Sequence, residues 1–134
     1  MNSGELDAAA RAALQALGRP RWYEPGETLM LHGSVADVVM LIERGLVKVA
    51  IAADDGRTTV LAYRGAGEVI GEMGVVGRGP RTATVVAGDR VRVRVIPASV
   101  FLSEVRNRPE LAAGIMSAWL PGCVTRTGNV FSDR

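Results

Sequence analysis

From Arg21 to Ile96 the chain is cut into short β-rich runs: RWYE, TLMLH, VVMLI, LVKVAIA, TTVLAYR, EVIG, TATVVA and VRVRVI. The turns between them, PGE, HGS, ERG, DDGR, GAG, GRGP and AGDR, all carry glycine. Runs this short, punctuated this regularly, leave no room for the crossover helices of a parallel sheet, and predict an antiparallel sandwich or barrel. VRVRVI alternates strictly, so Val91, Val93 and Val95 are expected to face inward and Arg92 and Arg94 outward. Asp54-Asp55-Gly56, between two such runs, is a hairpin signal.

Helical spacing flanks the strands. Leu6, Ala9, Ala10, Ala13, Leu14 and Leu17 form one stripe over residues 4–17, Asn2 and Glu5 are spaced for a capping box, and Gly18 and Pro20 close the segment. After Pro97, PASVFLSEVRNR and PELAAGIMSAWL again have helical spacing, with the second helix starting around Asn107-Arg108-Pro109 and Pro121-Gly122 stopping it. CVTRTGNVFSDR has no usable period. The reading is one domain over 1–134: an N-terminal helix within 1–20, a mainly β antiparallel roll over 21–96, C-terminal helices over 97–120 and an irregular tail over 121–134. A chain of 134 residues, 48% hydrophobic, can bury one core. No apolar run is long enough to span a bilayer, and the start of the chain lacks a secretory pattern, so a cytoplasmic protein without membrane contact is expected. Cys123 is the sole cysteine, which excludes an internal disulfide and a cysteine metal site. A formal charge of +2 does not by itself indicate nucleic-acid binding.

Chemistry concentrates in GAGEVIGEMGVVGRGPRTATVVA, Gly65 to Ala87. Its glycines let a backbone approach a ligand and turn N–H groups toward an anion. Arg81 offers an always-charged fork for a phosphate, and Glu72 an acceptor for a sugar hydroxyl. Composition alone leaves open the plainer reading, a surface arginine beside a glycine-rich connection. Elsewhere the residues read blandly. His32, the sole histidine, has no His or Cys neighbour and reads as structural or surface, not as a metal ligand. Arg90, Arg92 and Arg94 read as a solvated sheet face; Arg78, in the same glycine-rich segment, either adds positive field near the pocket or is a solvated loop residue. Asp37, Glu43 and Asp89 sit at turns, and nothing pairs them for acid–base work. No catalytic residue, triad or P-loop is found, so the chain is not expected to be an enzyme.

GEMGVVGRGPRTATV, Gly71 to Val85, resembles the phosphate-binding cassette of the cyclic-nucleotide-binding superfamily: Gly-Glu, an apolar helical turn, then Arg, a small residue and Ala. The eight residues between Glu72 and Arg81 are spaced as in protein kinase A regulatory subunits. Tyr23 to Ile51 is similar to the Crp/Fnr, or catabolite activator protein, family. The resemblance implies a cyclic-nucleotide-binding β-roll, a jelly-roll-like antiparallel barrel, with its cassette at 71–83. It further implies that Arg81 pairs with a cyclic phosphate, that Glu72 bonds the ribose 2′-hydroxyl, and that backbone N–H groups at Gly71, Thr82 and Ala83 complete the cradle. The implied ligand is a cyclic nucleotide, cAMP first, with the Thr82 hydroxyl leaving cGMP open; no other cofactor and no metal is implied. The corresponding function is a sensor domain of a transcriptional regulator, with no helix-turn-helix in this chain. DNA is then a partner only of a longer form that carries one, and the C-terminal helices are a candidate homodimer contact. The alternative is a ligand-independent regulatory or dimerisation module. Family members continue helically past Trp119, so the Pro121-Gly122 tail is expected to pack loosely, as a shifted reading frame would leave it.

Overall fold

The computed structural model describes residues 8–52, 55–77 and 79–116. In chain order these form α1 (Ala8–Gln15), β1 (Arg19–Tyr23), β2 (Thr28–Met30), β3 (Val38–Arg44), β4 (Val47–Ala52) and β5 (Thr58–Arg64). Then come β6 (Val69–Ile70), α2 (Glu72–Gly77), β7 (Thr84–Ala87), β8 (Val91–Pro97), α3 (Ala98–Asn107) and α4 (Pro109–Met116). The strands make two four-stranded antiparallel sheets, ordered β1-β8-β3-β6 and β2-β7-β4-β5. All eight β-rich runs of the sequence therefore form strands. No helix among the described residues is long and apolar enough to cross a membrane.

The two faces of the first sheet are buried against different things. Met40 and Ile42 of β3 and Val91 and Val93 of β8 enter the roll interior with Tyr23, Val47, Val49 and Val85. Val39 and Leu41 point the other way, into a second cluster with Ala10 and Leu14 of α1, Ile96, Phe101 of α3 and Leu111 of α4. A strand covered on both faces needs apolar side chains at successive positions, which is why VVMLI shows no alternation. Phe101 is fully buried, and removing such a ring from water contributes about 1.5–3 kcal/mol.

Local signals set the ends. Gly45 turns β3 into β4 at φ 90°, and a Cβ there would lie 2.5 Å from the Arg90 carbonyl oxygen, so only glycine fits. Pro109 opens α4 with its fixed φ, at a position whose N–H needs no partner. β1 begins at Arg19, two residues before the boundary read from the sequence, and takes in Pro20. Proline is tolerated because β1 is an edge strand. The capping pair Asn2 and Glu5, Arg78, and the segment from Ser117 through Pro121-Gly122 and Cys123 lie outside the described residues.

Two expectations are corrected. Glu43 is not at a turn but within β3, at a bulge where the register with β8 shifts between Ile42 and Arg44. Arg92 and Arg94 do face away from the roll interior, yet they are not a solvated stripe. Arg92 Nε lies 3.1 Å from Glu43 Oε1 and Arg94 Nη2 lies 3.4 Å from Glu43 Oε2. Gln15 Nε2 of α1 donates to the same carboxylate at 3.1 Å, and Arg94 Nη1 donates to the Gly18 carbonyl at 3.3 Å. The bulge re-aims Glu43 onto β8, and the resulting cluster seats α1 against the sheet. Arg90 alone of the three is solvated, stacked over Trp22 and paired with Glu24 at 3.2 Å. Val95 is only partly buried, and Ile96 is the fully covered residue at the end of β8.

Candidate functional site

A half-open cleft lies over the inner face of the second sheet beside α2. Met30, Val49, Ile70 and Val85 give it an apolar floor. The polar rim comes from the glycine-rich segment: Gly71, Glu72, Gly74, Arg81, Thr82 and Ala83 all line it. The five residues that the sequence singled out, Gly71, Glu72, Arg81, Thr82 and Ala83, thus meet in one place.

Backbone geometry explains their convergence. Gly71 has φ 87°, and a Cβ on it would lie 2.6 Å from both Arg81 Nη1 and Met30 Cε. The chain therefore passes directly against the guanidinium, and turns into α2 with Glu72 as its first residue. Arg81 is 5% exposed. Its Nη1 donates to the Gly71 carbonyl at 2.8 Å and its Nη2 to the Val38 carbonyl at 2.5 Å. Its backbone is pinned as well, since Arg81 N donates to Ser34 O at 2.9 Å and Gly33 N donates to Arg81 O at 2.8 Å. Burial pushes the guanidinium below its ordinary pKa, while the carboxylates of Asp37 and Glu72 pull the other way. Arginine stays charged under such burial. A guanidinium has five donors, and one withdrawn from water onto carbonyls can still serve an incoming anion.

Glu72 is buried, at 7% exposure. Thr82 is exposed and Ala83 buried where the chain enters β7. Thr84 Oγ1 accepts from His32 N at 3.0 Å, tying the end of β2 to β7; His32 itself is exposed. Sequence reasoning missed Arg64, which lines the same cleft from the end of β5. It missed the apolar floor too. The floor residues sit in four different strands or connections, so only the sheet order brings them together.

The family model described as cyclic nucleotide-binding domain matches residues 20–108. Over 128 residues the chain is 28% identical to the CRP-like cAMP-activated global transcriptional regulator of Mycobacterium tuberculosis, covering 96% of this chain and 57% of the regulator. Over 73 residues it is 45% identical to the acetyltransferase Pat of Mycolicibacterium smegmatis, covering 54% of this chain and 22% of that protein. The catabolite activator protein of Thermus thermophilus superposes with a TM-score of 0.79 at 21% identity, covering 96% of this chain and 59% of that one. The chain therefore spans little more than half the length of the regulators it matches.

Proposed function

The chain belongs to the cyclic nucleotide-binding domain family, and from that premise we propose that its cleft is a sensor site for a purine cyclic mononucleotide. Arg81 takes the cyclic phosphate, assisted by backbone N–H groups at Gly71, Thr82 and Ala83. Glu72 accepts from the ribose 2′-hydroxyl. The base lies over the apolar floor. The observation that carries this reading is the Arg81 guanidinium, 5% exposed and held by two backbone carbonyls at the mouth of a glycine-walled cleft. A charge kept out of water at such cost suits a site whose anion arrives from outside.

The same contacts give the signal a route. Val38, whose carbonyl holds Arg81, follows Asp37, and the Asp37 carbonyl accepts from Ala98 N, the first residue of α3, at 2.9 Å. A phosphate that draws Arg81 away from Val38 acts one residue from the bond that seats the C-terminal helices. In a cytoplasmic regulator that also carries DNA-reading helices, this movement governs DNA binding. Joined to an enzyme, it governs that enzyme; the domain itself is not catalytic.

Calorimetric titration with cAMP and cGMP tests the reading. Binding of either is expected, and Glu72→Gln is expected to weaken it and to narrow the preference for the ribo over the 2′-deoxy ligand. Failure of every cyclic nucleotide to raise the melting temperature at millimolar concentration would sink the sensor reading, since a ligand at a hundred times its Kd adds about 2.7 kcal/mol.

A further inference from the structure

Arg64 ends β5 with its side chain 15% exposed and lining the cleft. Its Nη1 donates to the Val69 carbonyl at 3.3 Å, and its Nε lies 3.9 Å from Glu68 Oε1. That second distance is an ion pair but too long for a hydrogen bond, and Nε is buried with no acceptor. The cleft therefore holds a second guanidinium besides Arg81, anchored by charge but with donors to spare.

Its position decides what it can reach. In the order β2-β7-β4-β5, β5 lies two strands from β7, where the Arg81 loop enters the sheet. Arg64 pairs with Val47 and Val47 with Ala87, three residues past Thr84, so two strands across and three residues along place Arg64 roughly 14 Å from where that loop enters β7. Val49, paired with both Val85 and Ala62, floors the space between. A nucleotide gripped by Arg81 and lying across Val49 presents the edge of its base, not its phosphate, to Arg64.

We propose that Arg64 reads that edge and makes the site prefer guanine to adenine. The inference rests on the sensor reading above and departs from the expectation of cAMP. A guanidinium fork matches the O6 and N7 acceptors of guanine, whereas adenine turns an amino donor toward it.

The test compares cAMP, cGMP and cyclic inosine monophosphate by calorimetry on the parent chain, Arg64→Leu and Arg64→Lys. Inosine keeps O6 and N7 but lacks the 2-amino group, so it separates Arg64 from any contact that Thr82 makes with that amino group. The parent is expected to bind cyclic inosine monophosphate and cGMP about tenfold or more tighter than cAMP. Arg64→Leu is expected to bring the ratio near one by weakening cGMP and cyclic inosine monophosphate more than cAMP. Arg64→Lys keeps a positive charge opposite Glu68, so its fold is expected to survive while most of the preference disappears. A parent that favours cAMP, or an inosine-to-adenine ratio unchanged in both variants, overturns the role of Arg64 and leaves the sensor reading standing. If none of the three ligands binds, both fall.

Discussion

The charged clusters around Glu43 and around Arg81 are both withdrawn from water, but they are closed in different ways. Glu43, with its side chain 8% exposed, meets Arg92, Arg94 and Gln15, so opposite charges and an amide answer one another within the cluster. Arg81 donates to two neutral backbone carbonyls, and the carboxylates of Asp37 and Glu72 add their field to it. The first arrangement offsets its own desolvation and locks a helix to a sheet. The second anchors a cation on carbonyl acceptors, an arrangement that suits the phosphate role proposed for Arg81. Two arginine-bearing segments of one small roll thus divide a cluster that holds the fold from the one proposed to hold a ligand.

Substitutions can separate the two roles. Arg81→Ala is expected to cost about 2–5 kcal/mol of cyclic-nucleotide binding by calorimetry, with little change in the melting of the unliganded chain. Normal binding by that variant would erase the contrast. Glu43→Ala is expected to do the reverse, lowering unfolding free energy by ~2 kcal/mol in denaturant melts while ligand affinity holds, because Arg94 and Arg92 lose their partner. Arg92→Ala should follow the same direction more weakly, since that side chain is 36% exposed.

The smallest effect belongs to a pair that neither role needs. Asp55 accepts from the Arg57 backbone N–H at 3.1 Å and from its Nε at 2.8 Å, and these bonds hold its carboxyl below the ordinary aspartate value. A lowered folded-state value means the contribution is fully present above the ordinary carboxylate range and is lost as pH falls through the lowered value. An NMR titration should find the Asp55 midpoint below 3.8. Arg57→Ala should restore only part of the difference, because the backbone bond, the larger cause, remains.

The same contrast marks what could be read from the residues. Glycine turns and β-branched runs are local, so all eight strands and both C-terminal helix starts were legible from the sequence. The cleft lining from Gly71 to Ala83 was legible because it falls within thirteen consecutive residues, 71–83. Glu43 was not, because a bulge reverses which way a strand residue points, and nothing in ERG announces one. The sequence reads Arg92 and Arg94 as a solvated face because alternation tells which side of a sheet a residue occupies, not what covers that side. Arg64 was missed for a third reason. Its place in the cleft depends on β5 lying two strands from β7, a fact of sheet order and not of spacing.

That sheet order also has a consequence in time. β1 pairs with β8, joining Arg19 to Val95, and β2 pairs with β7, joining Thr28 to Val86. The walls of the cleft run from Met30 to Val85. Pairings this far apart along the chain close late and slowly compared with hairpins or helices. A chain leaving the ribosome can form the β4–β5 hairpin early, but it has no cleft until β7 has emerged. The proposed ligand would therefore meet a cleft only after Val85, the last lining residue in the chain, has been added.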